Sequence, residues 1–465
     1  MSEAVAVILA AGQGTRMRSK RPKVLHPLCG RPMLHTVVDN VRRAGFGRVI
    51  VVVGHQADEV RAACAGLDLE FVVQEPQLGT GHAVAQAEPL LARYDGPVLV
   101  TYGDTPLWRP QTLANLLDHH RKSGAAASVI SAVVDRPDGY GRIVRDGGTG
   151  RFLRVVEQKD ATPAEAAIRE INSGTYCFDA AKLFEGLRQV QPLNAQGEYY
   201  LPDVLTVLGR AGQTVEVLVV PDALEVLGVN NRVELAQAEA VMRQRIVEQW
   251  MLAGVTVMDP DTVYIDPQAH LEPDVVIMPF TFIRGASKIC EDARIGPHAE
   301  IDNSEIGAGA VVERSVVRES RVGPRCTVGP FSFLRPGTVL EAGAKVGAYV
   351  EVKQSIIGPG SKVPHLSYVG DATIGKDVNV GAGTITCNYD GQAKHPTFIS
   401  DGAFIGSNTN LVAPVRIGEG AYTGAGSTIT RDVPPGALAL ERAELRIIEG
   451  WAARRRSKRK TQEAP

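Results

Sequence analysis

The feature that most restricts the fold of this chain is a six-residue spacing of apolar residues in its C-terminal half. Three runs keep this spacing: Ile265, Leu271, Ile277, Ile283, Ile289, Ile295 and Ile301; Val322, Val328, Leu334, Leu340, Val346 and Val352; and Ile399, Ile405, Leu411, Ile417, Thr423 and Ile429. A period of six fits neither a helix nor the simple alternation of a strand. It predicts a parallel β-helix of hexapeptide repeats, with one apolar residue per repeat pointing inward and about nine coils. A β-sandwich of short strands is the alternative, and it does not explain three runs at constant spacing.

The N-terminal half has a different pattern, in which strand-like apolar runs alternate with helical segments. Strands are predicted at residues 5–9, 49–53, 71–73 and 98–102, with helices at 34–44 and 113–122 between them. Such alternation is typical of an α/β domain built on a mostly parallel, Rossmann-like sheet.

A linker helix is predicted between the two halves, over residues 232–253. Asn231 is its predicted N-cap, with Glu234 three residues later in the capping-box pattern, and Gly254 is placed to end the helix. We therefore expect an α/β domain at 1–230, a linker helix at 231–253, a β-helix at 254–442 and a tail at 443–465.

Composition and charge limit the classes of partner. The chain carries a net charge of −2, with 44% hydrophobic and 22% charged residues, so no global field would draw it to nucleic acid or to an acidic membrane. The basic segment from Arg454 to Lys460 is expected to be a solvated, disordered tail; a basic arm that contacts a phosphorylated ligand is the alternative.

Cysteine usage and hydropathy predict a cytoplasmic protein. The six cysteines contain no CxxC pair, which favours reduced thiols over a disulfide framework or a zinc site. The first apolar run, residues 4–11, is too short to span a membrane and makes a poor signal peptide.

The first candidate site is a glycine-containing loop after the first strand. The loop reads Leu9-Ala10-Ala11-Gly12-Gln13-Gly14-Thr15-Arg16-Met17. It is neither a Walker A loop nor a dinucleotide fingerprint, since Met17 occupies the position of the third glycine. Two glycines by themselves also fit a structural turn, but Arg16 and Lys23 follow closely. Two cations beside such a loop suit a triphosphate whose α-phosphorus accepts a nucleophile.

Longer motifs carry a family resemblance. The string LAAGQGTRM followed by PKVLH resembles the signature of sugar-nucleotide pyrophosphorylases. Further matches are Gln74 with Leu78-Gly79-Thr80-Gly81-His82-Ala83, Tyr102-Gly103-Asp104, Gly139-Tyr140-Gly141-Arg142, Val156-Glu157-Gln158-Lys159-Asp160, Ile171-Asn172-Ser173-Gly174 and Gly228-Val229-Asn230-Asn231-Arg232. Together with the hexapeptides, they make residues 5 to about 442 similar to the bacterial family of bifunctional N-acetylglucosamine-1-phosphate uridylyltransferases and glucosamine-1-phosphate acetyltransferases, whose β-helix is left-handed.

The resemblance implies a uridylyltransferase site in the N-terminal domain. Arg16 and Lys23 would act on the phosphates, and Mg²⁺ would be bound by Asp104 and Asn230. The residues implied to bind UTP and the UDP-sugar are Leu9, Ala10, Ala11, Gly12, Lys23, Gln74, Gly79, Thr80, Tyr102, Gly103, Asp104, Gly141, Glu157, Asn172 and Asn230.

The resemblance implies an acetyltransferase site in the β-helix, where the loop from about Cys387 to Pro396 breaks the six-residue period. His365 would be the general base, and acetyl-CoA the acetyl donor. The residues implied to bind glucosamine-1-phosphate are Arg335, Lys353, Tyr368 and Asn379, and those implied to bind acetyl-CoA are Ala382, Asn388, Tyr389, Ser407, Ala425 and Arg442. A homotrimer with sites between subunits is also implied.

Two alternatives to the bifunctional enzyme are a monofunctional pyrophosphorylase with a structural or regulatory β-helix, and a scaffold with a decayed first site. One set of residues speaks against the first, since a mere scaffold has no reason to hold it together: Arg335, Lys353, His365, Asn388 and Tyr389. Cys387 receives no catalytic role. The string Asp259-Pro260-Asp261 resembles a metal-binding motif, but a turn is the expected structure there.

Overall fold

The computed structural model describes residues 4–462, and side chains up to residue 458. Residues 1–3 of the predicted first domain, residues 463–465 of the predicted tail, and the side chains of Arg459 and Lys460 lie outside the described part. The described chain divides between Ile246 and Val247 into two compact units.

The first unit is an α/β domain around one large sheet. Its strands are β1 (Ala4–Ala10), β2 (Pro27–Leu28), β3 (Arg31–Pro32), β4 (Phe46–Val53), β5 (Glu70–Val73), β6 (Pro97–Tyr102), β7 (Ala127–Val133), β8 (Gly141–Arg145), β9 (Phe152–Val156), β10 (Glu170–Asp179) and β11 (Val215–Val220). Its helices are α1 (Met33–Arg43), α2 (Ala57–Ala63), α3 (Thr80–Ala85), α4 (Glu88–Leu91), α5 (Pro110–Ser123), α6 (Pro163–Ala166), α7 (Ala180–Leu187) and α8 (Asp203–Arg210).

The sheet confirms the predicted α/β architecture. Its strand order is β11-β7-β10-β6-β1-β4-β5, with β8 and β9 attached beside β10. Pairings are parallel along this order, except that β10 runs antiparallel to both of its neighbours, β7 and β6. The sheet is thus mostly parallel in strand direction, as predicted, with β10 reversed within this order and β9 reversed beside it, since β8 is antiparallel to both β10 and β9.

Alternate residues of β1 face two different hydrophobic cores. Ile8 points into a core shared with α1 and α5, whereas Val7 points into a core shared with α7 and α8. Because both faces are covered, β1 is apolar throughout. The carboxyl ends of the parallel strands β1, β4 and β6 meet at one edge of the sheet, which is where ligands bind in open α/β sheets.

The predicted linker helix is α9 (Arg232–Leu252). Asn231 caps it, since the Asn231 Oδ1 accepts the backbone N–H of Glu234 at 3.0 Å. Gly254, at φ 97, follows its last turn, because a left-handed residue ends a helix with least strain when it is glycine.

The second unit is the predicted β-helix, and its strands form three faces. The first face has 11 strands, from Thr256–Val257 to Leu438–Ala439; the second has 10, from Tyr264–Ile265 to Thr428–Ile429; and the third has 9, from His270–Leu271 to Val415–Ile417. Within each face, every strand pairs in parallel with the strand one coil away. The fold of hexapeptide repeats is therefore confirmed.

The predicted apolar runs form the inner wall, and the first two of them are connected by steps of five or six residues. All seven residues of the run from Ile265 to Ile301 are buried. The next buried positions are Ile306, Val312 and Val317, so some corners are one residue shorter. The shortened corners contain a residue in the left-handed region, as at Asn303 (φ 43). This is why the sequence period breaks although the β-helix continues.

Thr423 is the one polar member of the three runs, and its hydroxyl is satisfied inside the prism. It accepts the backbone N–H of Gly406 at 3.0 Å and shares a hydrogen bond of 3.2 Å with the hydroxyl of Thr409. A buried hydroxyl with partners costs little, so the coil is not interrupted there.

Two local predictions have different outcomes. The predicted turn at Asp259 is confirmed, since its carboxylate caps a single 3-10 turn, Pro260–Thr262. The tail was expected to be disordered, but it contains a helix, α10 (Trp451–Gln462). The described side chains of α10 are exposed, in keeping with the expected solvated surface. Over the described residues, no helix has both the length and the apolar character needed to cross a bilayer.

The inner wall gives a first prediction. Ile357 is fully buried whereas its neighbour Ile356 is 43% exposed. We expect Ile357→Ala to lower the free energy of unfolding of the β-helix by about 2–5 kcal/mol, and Ile356→Ala to change it by less than about 0.5 kcal/mol. Denaturant unfolding followed by circular dichroism measures both, and equal losses would contradict the inward assignment of the hexapeptide positions.

A second prediction concerns pH. His120 of α5 is buried, and burial is the main reason that its pKa is lowered from 6.5 to about 4. Between these values the unfolded chain binds a proton that the folded chain does not. The free energy of unfolding should therefore fall as the pH falls through this window, by up to about 3 kcal/mol.

The measurement is urea unfolding at pH 7 and pH 4.5. His120→Gln should reduce the loss of stability on acidification. The matched control is His119→Gln, because the His119 side chain is 37% exposed. The same loss in both variants and the unmodified protein would show that His120 does not titrate as described.

Candidate active sites

The carboxyl ends of β1 and β6 open into a cavity of the first unit with a volume of about 1130 Å³. This exceeds the volume needed for a single drug-sized ligand. All but one of the residues predicted for the first site line it: Leu9, Ala10, Ala11, Gly12, Arg16, Lys23, Gln74, Gly79, Thr80, Tyr102, Asp104, Gly141, Glu157, Asn172 and Asn230.

Gly103 is the exception, and it has a packing role beside the cavity. Its backbone N–H donates to the carbonyl of Leu9 at 2.9 Å, which ties the end of β6 to the end of β1. A Cβ at this position would lie 3.1 Å from Val24 Cγ1 and 3.4 Å from the Leu9 carbonyl oxygen. The missing side chain therefore permits the close approach of the two strands.

The glycine loop places its two cations through short 3-10 helices. Arg16 lies in Thr15–Met17, and Lys23 begins Lys23–Leu25. Gly14 has φ 61, and a Cβ there would lie 2.8 Å from Lys23 Cβ. Only glycine allows the loop to adopt this conformation and to pass so close to Lys23.

Four polar side chains from distant parts of the chain meet in the cavity. The Lys23 ammonium donates to the carboxylate of Asp104 and, at 3.2 Å, to Asn230 Oδ1. The Arg16 guanidinium donates to the same Asn230 oxygen at 2.9 Å. The backbone N–H of Val229 donates to the carbonyl of Asp104 at 2.9 Å, which fixes the two oxygen-bearing segments to each other.

The oxygens of Asp104 and Asn230 fit a divalent cation such as Mg²⁺. Both contact the Lys23 ammonium, so they converge on one small region. A carboxylate and an amide oxygen suit this hard ion, which takes its other ligands from phosphate and water. Residues 4–458 contain no group of three or more His, Cys, Asp or Glu side chains that could hold a metal, so a phosphate-bearing ligand would have to complete the site.

Gln74 also lines the cavity and is almost completely buried, with 5% exposed. Its amide donates to the carbonyl of Gly79 at 2.9 Å. Gly79 has φ 104, and a Cβ there would lie 2.7 Å from the carbonyl of Tyr199. This glycine is thus required by both its conformation and its packing.

Glu157 and Gly141 form another wall of the cavity. Burial, followed by the charges of Asp203 and Asp160, raises the pKa of the Glu157 carboxyl. A Cβ on Gly141 would lie 2.9 Å from Glu157 Oε1, so this glycine leaves room for the carboxyl group. An acid in this setting is a good hydrogen-bonding partner for the hydroxyl groups of a ligand.

Asn172 is held rigidly on β10. Its amide nitrogen donates to the Tyr176 hydroxyl at 2.8 Å, and its Oδ1 accepts the backbone N–H of Gly174 at 3.2 Å. Gly174, at φ 77, leaves the space that the Tyr102 ring occupies. These contacts fix the orientation of the wall on which Asn172 lies.

Several cavity residues were not predicted: His55, Gln56, Gln77, Tyr140, Ser173 and Glu198. His55 and Gln56 follow β4 after a single residue, Gly54, so their place at the end of a parallel strand could have indicated them. Gln77, whose amide donates to the carbonyl of Ala11, lies in the gap between Gln74 and Leu78 of one quoted motif. Glu198 has no signal in the sequence.

In the second unit, the register of the coils stacks four predicted residues at one corner of the first face. Lys362 pairs with Asn379, Asn379 with Phe404, and Phe404 with Tyr422. Three positions after each of these residues, the same register places equivalent residues on successive coils: His365, Ala382, Ser407 and Ala425. The backbone repeats as well, since the N–H groups after Ala382, Ser407 and Ala425 donate to the carbonyls of His365, Ala382 and Ser407 at 3.4, 2.7 and 2.8 Å. We call these four residues the corner column.

The ends of the corner column differ in character. The His365 side chain is exposed, and among the described residues no hydrogen bond of its imidazole is found. Arg442 lies at the far end, because a Cβ on Gly424 would be 3.1 Å from its guanidinium. The column therefore connects a free imidazole to a cation over a stretch lined by small side chains.

The second face brings two predicted cations together. Leu334 pairs with Val352, so Arg335 and Lys353 lie side by side on adjacent coils. Arg335 donates to Glu351 at 2.7 Å, and the Lys353 ammonium lies 3.9 Å from the Asp371 carboxylate.

A third cation, Lys394, was missed, although it lies in the loop that breaks the repeat. Its contact with Lys353, followed by burial, lowers the pKa of Lys353. Two ammonium groups that repel each other indicate a place for an anion.

Asn388 and Tyr389, the two predicted polar residues of the loop, have different hydrogen-bond partners. Asn388 donates to the Asp371 carboxylate and lies 3.5 Å from the Tyr368 hydroxyl. The hydroxyl of Tyr389 donates to the carbonyl of Gly391 at 2.7 Å, within its own loop. Asn379 lies on the first face, paired with Lys362 and Phe404.

Comparison with known proteins covers both units. A family model described as "MobA-like NTP transferase domain" matches residues 6–224, and "Bacterial transferase hexapeptide (six repeats)" matches residues 396–431. A solved structure of UDP-glucose pyrophosphorylase complexed with UDP-glucose aligns with 52% of this chain at a TM-score of 0.43 and 18% identity.

Relatives match over nearly the full length. "Bifunctional protein GlmU" of Desulfitobacterium hafniense (strain DSM 10664 / DCB-2) is 53% identical, covering 96% of this chain and 98% of its own. The proteins of the same name from Pelotomaculum thermopropionicum and Heliobacterium modesticaldum are 54% and 52% identical, each covering 98% of this chain and 99% of their own.

Proposed function

This chain belongs to the family of bifunctional GlmU proteins, and we propose that its two units catalyse successive steps in the synthesis of UDP-N-acetylglucosamine. The second unit transfers an acetyl group from acetyl-CoA to glucosamine-1-phosphate. The first unit transfers UMP from UTP to the resulting N-acetylglucosamine-1-phosphate and releases pyrophosphate.

The observation that carries the first reaction is the meeting of Arg16, Lys23, Asp104 and Asn230 at one point of the cavity. An oxygen of the sugar phosphate attacks the α-phosphorus of UTP, and the bond to pyrophosphate breaks. Arg16 and Lys23 stabilise the charge that develops on the phosphate oxygens. Positioning and charge neutralisation suffice, so no covalent intermediate with the protein is required.

Asp104 and Asn230 would hold Mg²⁺, which supplies further neutralisation of phosphate charge when bound. Displacement of the Lys23 ammonium from these oxygens would free it for a phosphate.

Different walls of the cavity are assigned to the uridine and to the sugar of the ligand. Leu9 to Gly12, Gln74, Gly79 and Thr80 are assigned to uridine, with the backbone of the glycine loop close to its ring and phosphates. Gly141, Glu157 and Asn172 are assigned to the sugar, where the raised pKa of Glu157 favours hydrogen bonds with sugar hydroxyl groups. Tyr102 lies between the two sets.

The second reaction is assigned to His365 and its neighbours. The imidazole accepts a proton from the glucosamine nitrogen as that nitrogen attacks the thioester carbonyl, and the CoA thiolate leaves. Arg335, Lys353 and Lys394 bind the sugar phosphate, which relieves the repulsion between the two lysines. Tyr368 and Asn379 are assigned to the amino sugar. Acetyl-CoA would extend along the corner column toward Arg442, with Asn388 and Tyr389 from the loop.

The assembly and location that we propose are a homotrimer formed through the β-helix, acting in the cytoplasm on small-molecule substrates. Apart from Asn388, which is 7% exposed, the residues of the acetyl-transfer set are at least partly exposed, which suits a site completed by a neighbouring subunit.

The first test of function is the release of coenzyme A thiol from acetyl-CoA in the presence of glucosamine-1-phosphate without UTP. We expect release by the purified protein and a loss of at least about a hundredfold in His365→Ala, with uridylyl transfer unchanged. No release from folded, unmodified protein would leave a uridylyltransferase with a structural β-helix. Loss of both activities in the variant would indicate unfolding or coupling of the sites.

The second test is pyrophosphate release from UTP and N-acetylglucosamine-1-phosphate. Asp104→Ala should reduce it by at least about a hundredfold and leave acetyl transfer intact. Asp135→Ala is the matched control, because the Asp135 side chain is 92% exposed. Undiminished turnover in Asp104→Ala would rule out its assignment as a metal ligand.

A further inference from the structure

The cap of the linker helix differs from an ordinary capping box. In that motif the glutamate at the third helical position accepts the backbone N–H of the N-cap residue. Here Glu234 Oε2 accepts the backbone N–H of Asn230, the residue before the cap, at 2.6 Å. Its other oxygen, Oε1, accepts the side-chain amide of the N-cap Asn231 at 2.6 Å.

Asn230 is thereby fixed from both sides. Its backbone N–H is held by Glu234, and the preceding N–H, that of Val229, is held by the carbonyl of Asp104 at 2.9 Å. The side chain of Asn230 accepts hydrogen bonds from both cations of the site, Arg16 and Lys23. A shift of this backbone would move the oxygen on which the polar cluster converges.

Electrostatics favour the same arrangement. A carboxylate is stabilised at the positive N-terminal end of a helix, and α9 is a helix of 21 residues. The same first turn also reaches the glycine loop, since the Arg232 Nε donates to the carbonyl of Met17 at 3.3 Å, one residue after Arg16. The start of the linker helix is therefore attached to both sides of the cluster.

We propose that Glu234 is a positioning residue of the uridylyl-transfer site, which acts through the backbone of Asn230 to hold the amide oxygen in place for Mg²⁺ and phosphate. This inference rests on the proposed function of the first unit. Glu234 is not among the residues that line the cavity, and its hydrogen bond to the polar cluster is the one to the backbone N–H of Asn230.

The test measures metal binding as well as turnover. Mn²⁺ is titrated into the full-length protein mixed with a non-hydrolysable UTP analogue, and its free fraction is followed by electron paramagnetic resonance. Glu234→Ala is expected to weaken Mn²⁺ binding by about tenfold, as the loss of an outer support of a metal ligand typically does. The Mg²⁺ concentration for half-maximal uridylyl transfer should rise by a similar factor, with acetyl transfer unchanged.

Two further variants separate positioning from helix stability. Glu234→Gln keeps one acceptor oxygen, and we expect an intermediate effect from it even if the alanine variant folds poorly. Glu165→Ala is the matched control, because Glu165 completes the capping box of α6 with Thr162 at 2.9 Å. It should reduce stability without changing Mn²⁺ binding.

A double-mutant cycle with Asn230→Ala decides whether Glu234 acts through Asn230. If it does, Glu234→Ala causes no further loss of Mn²⁺ binding in the Asn230→Ala background. Additive losses, or Mn²⁺ binding by folded Glu234→Ala equal to that of the unmodified protein, would overturn the proposal. Failure of the proposed function is distinguishable, because it would appear in the unmodified protein as a lack of UTP turnover.

Discussion

Parallel pairing of backbone strands is the constraint on which both units depend. In the first unit, Leu9 of β1 lies opposite Tyr102 of β6, so the loops that follow these strands open at the same edge. In the second unit, the same kind of pairing places each coil directly on the one before it. Because parallel ladders keep a constant register, residues 17 to 25 positions apart in sequence become neighbours, as His365, Ala382 and Ser407 do. In both units, parallel strand direction determines which residues become neighbours, and the side chains of those residues then determine the chemistry of the site.

A lysine that contacts an acidic side chain is the second feature that the sites share. Lys23 rests on Asp104 and Asn230 in the first site, and Lys353 rests between Asp371 and Lys394 in the second. In the proposed reactions, a phosphate binds beside each lysine: next to the Asp104 and Asn230 oxygens in the first site, and next to the Lys394 ammonium in the second. The two sites differ in enclosure: the first is a deep cavity within one unit, whereas the second lies on an open corner of the prism. That difference agrees with the assignment of the second site to a surface shared between subunits.

Glycine decides how closely the walls of the first cavity approach one another. Gly14 allows the loop to pass Lys23, and Gly141 leaves space for the Glu157 carboxyl. These are packing requirements, and they explain why so much of the sequence signature consists of residues without functional groups. The linker helix adds a support of another kind, since its first turn holds the backbone of Asn230.

The sequence by itself determined the two architectures, the linker helix with its Asn231 cap, and the inward positions of the hexapeptides, because these follow from local periodicity and capping chemistry. Motif resemblance also indicated residues that the structure places in one cavity, apart from Gly103. Only the tertiary structure decided the reversed direction of β10, the short corners near Asn303 and the helix in the tail, since each depends on pairing or packing beyond the local pattern. Only the tertiary structure showed that Glu198 and Lys394 belong to the sites, and that Glu234 accepts the backbone N–H of Asn230 instead of that of the N-cap residue Asn231. Such contacts join residues that are remote in sequence or leave no periodic trace, and three-dimensional register is what brings them together.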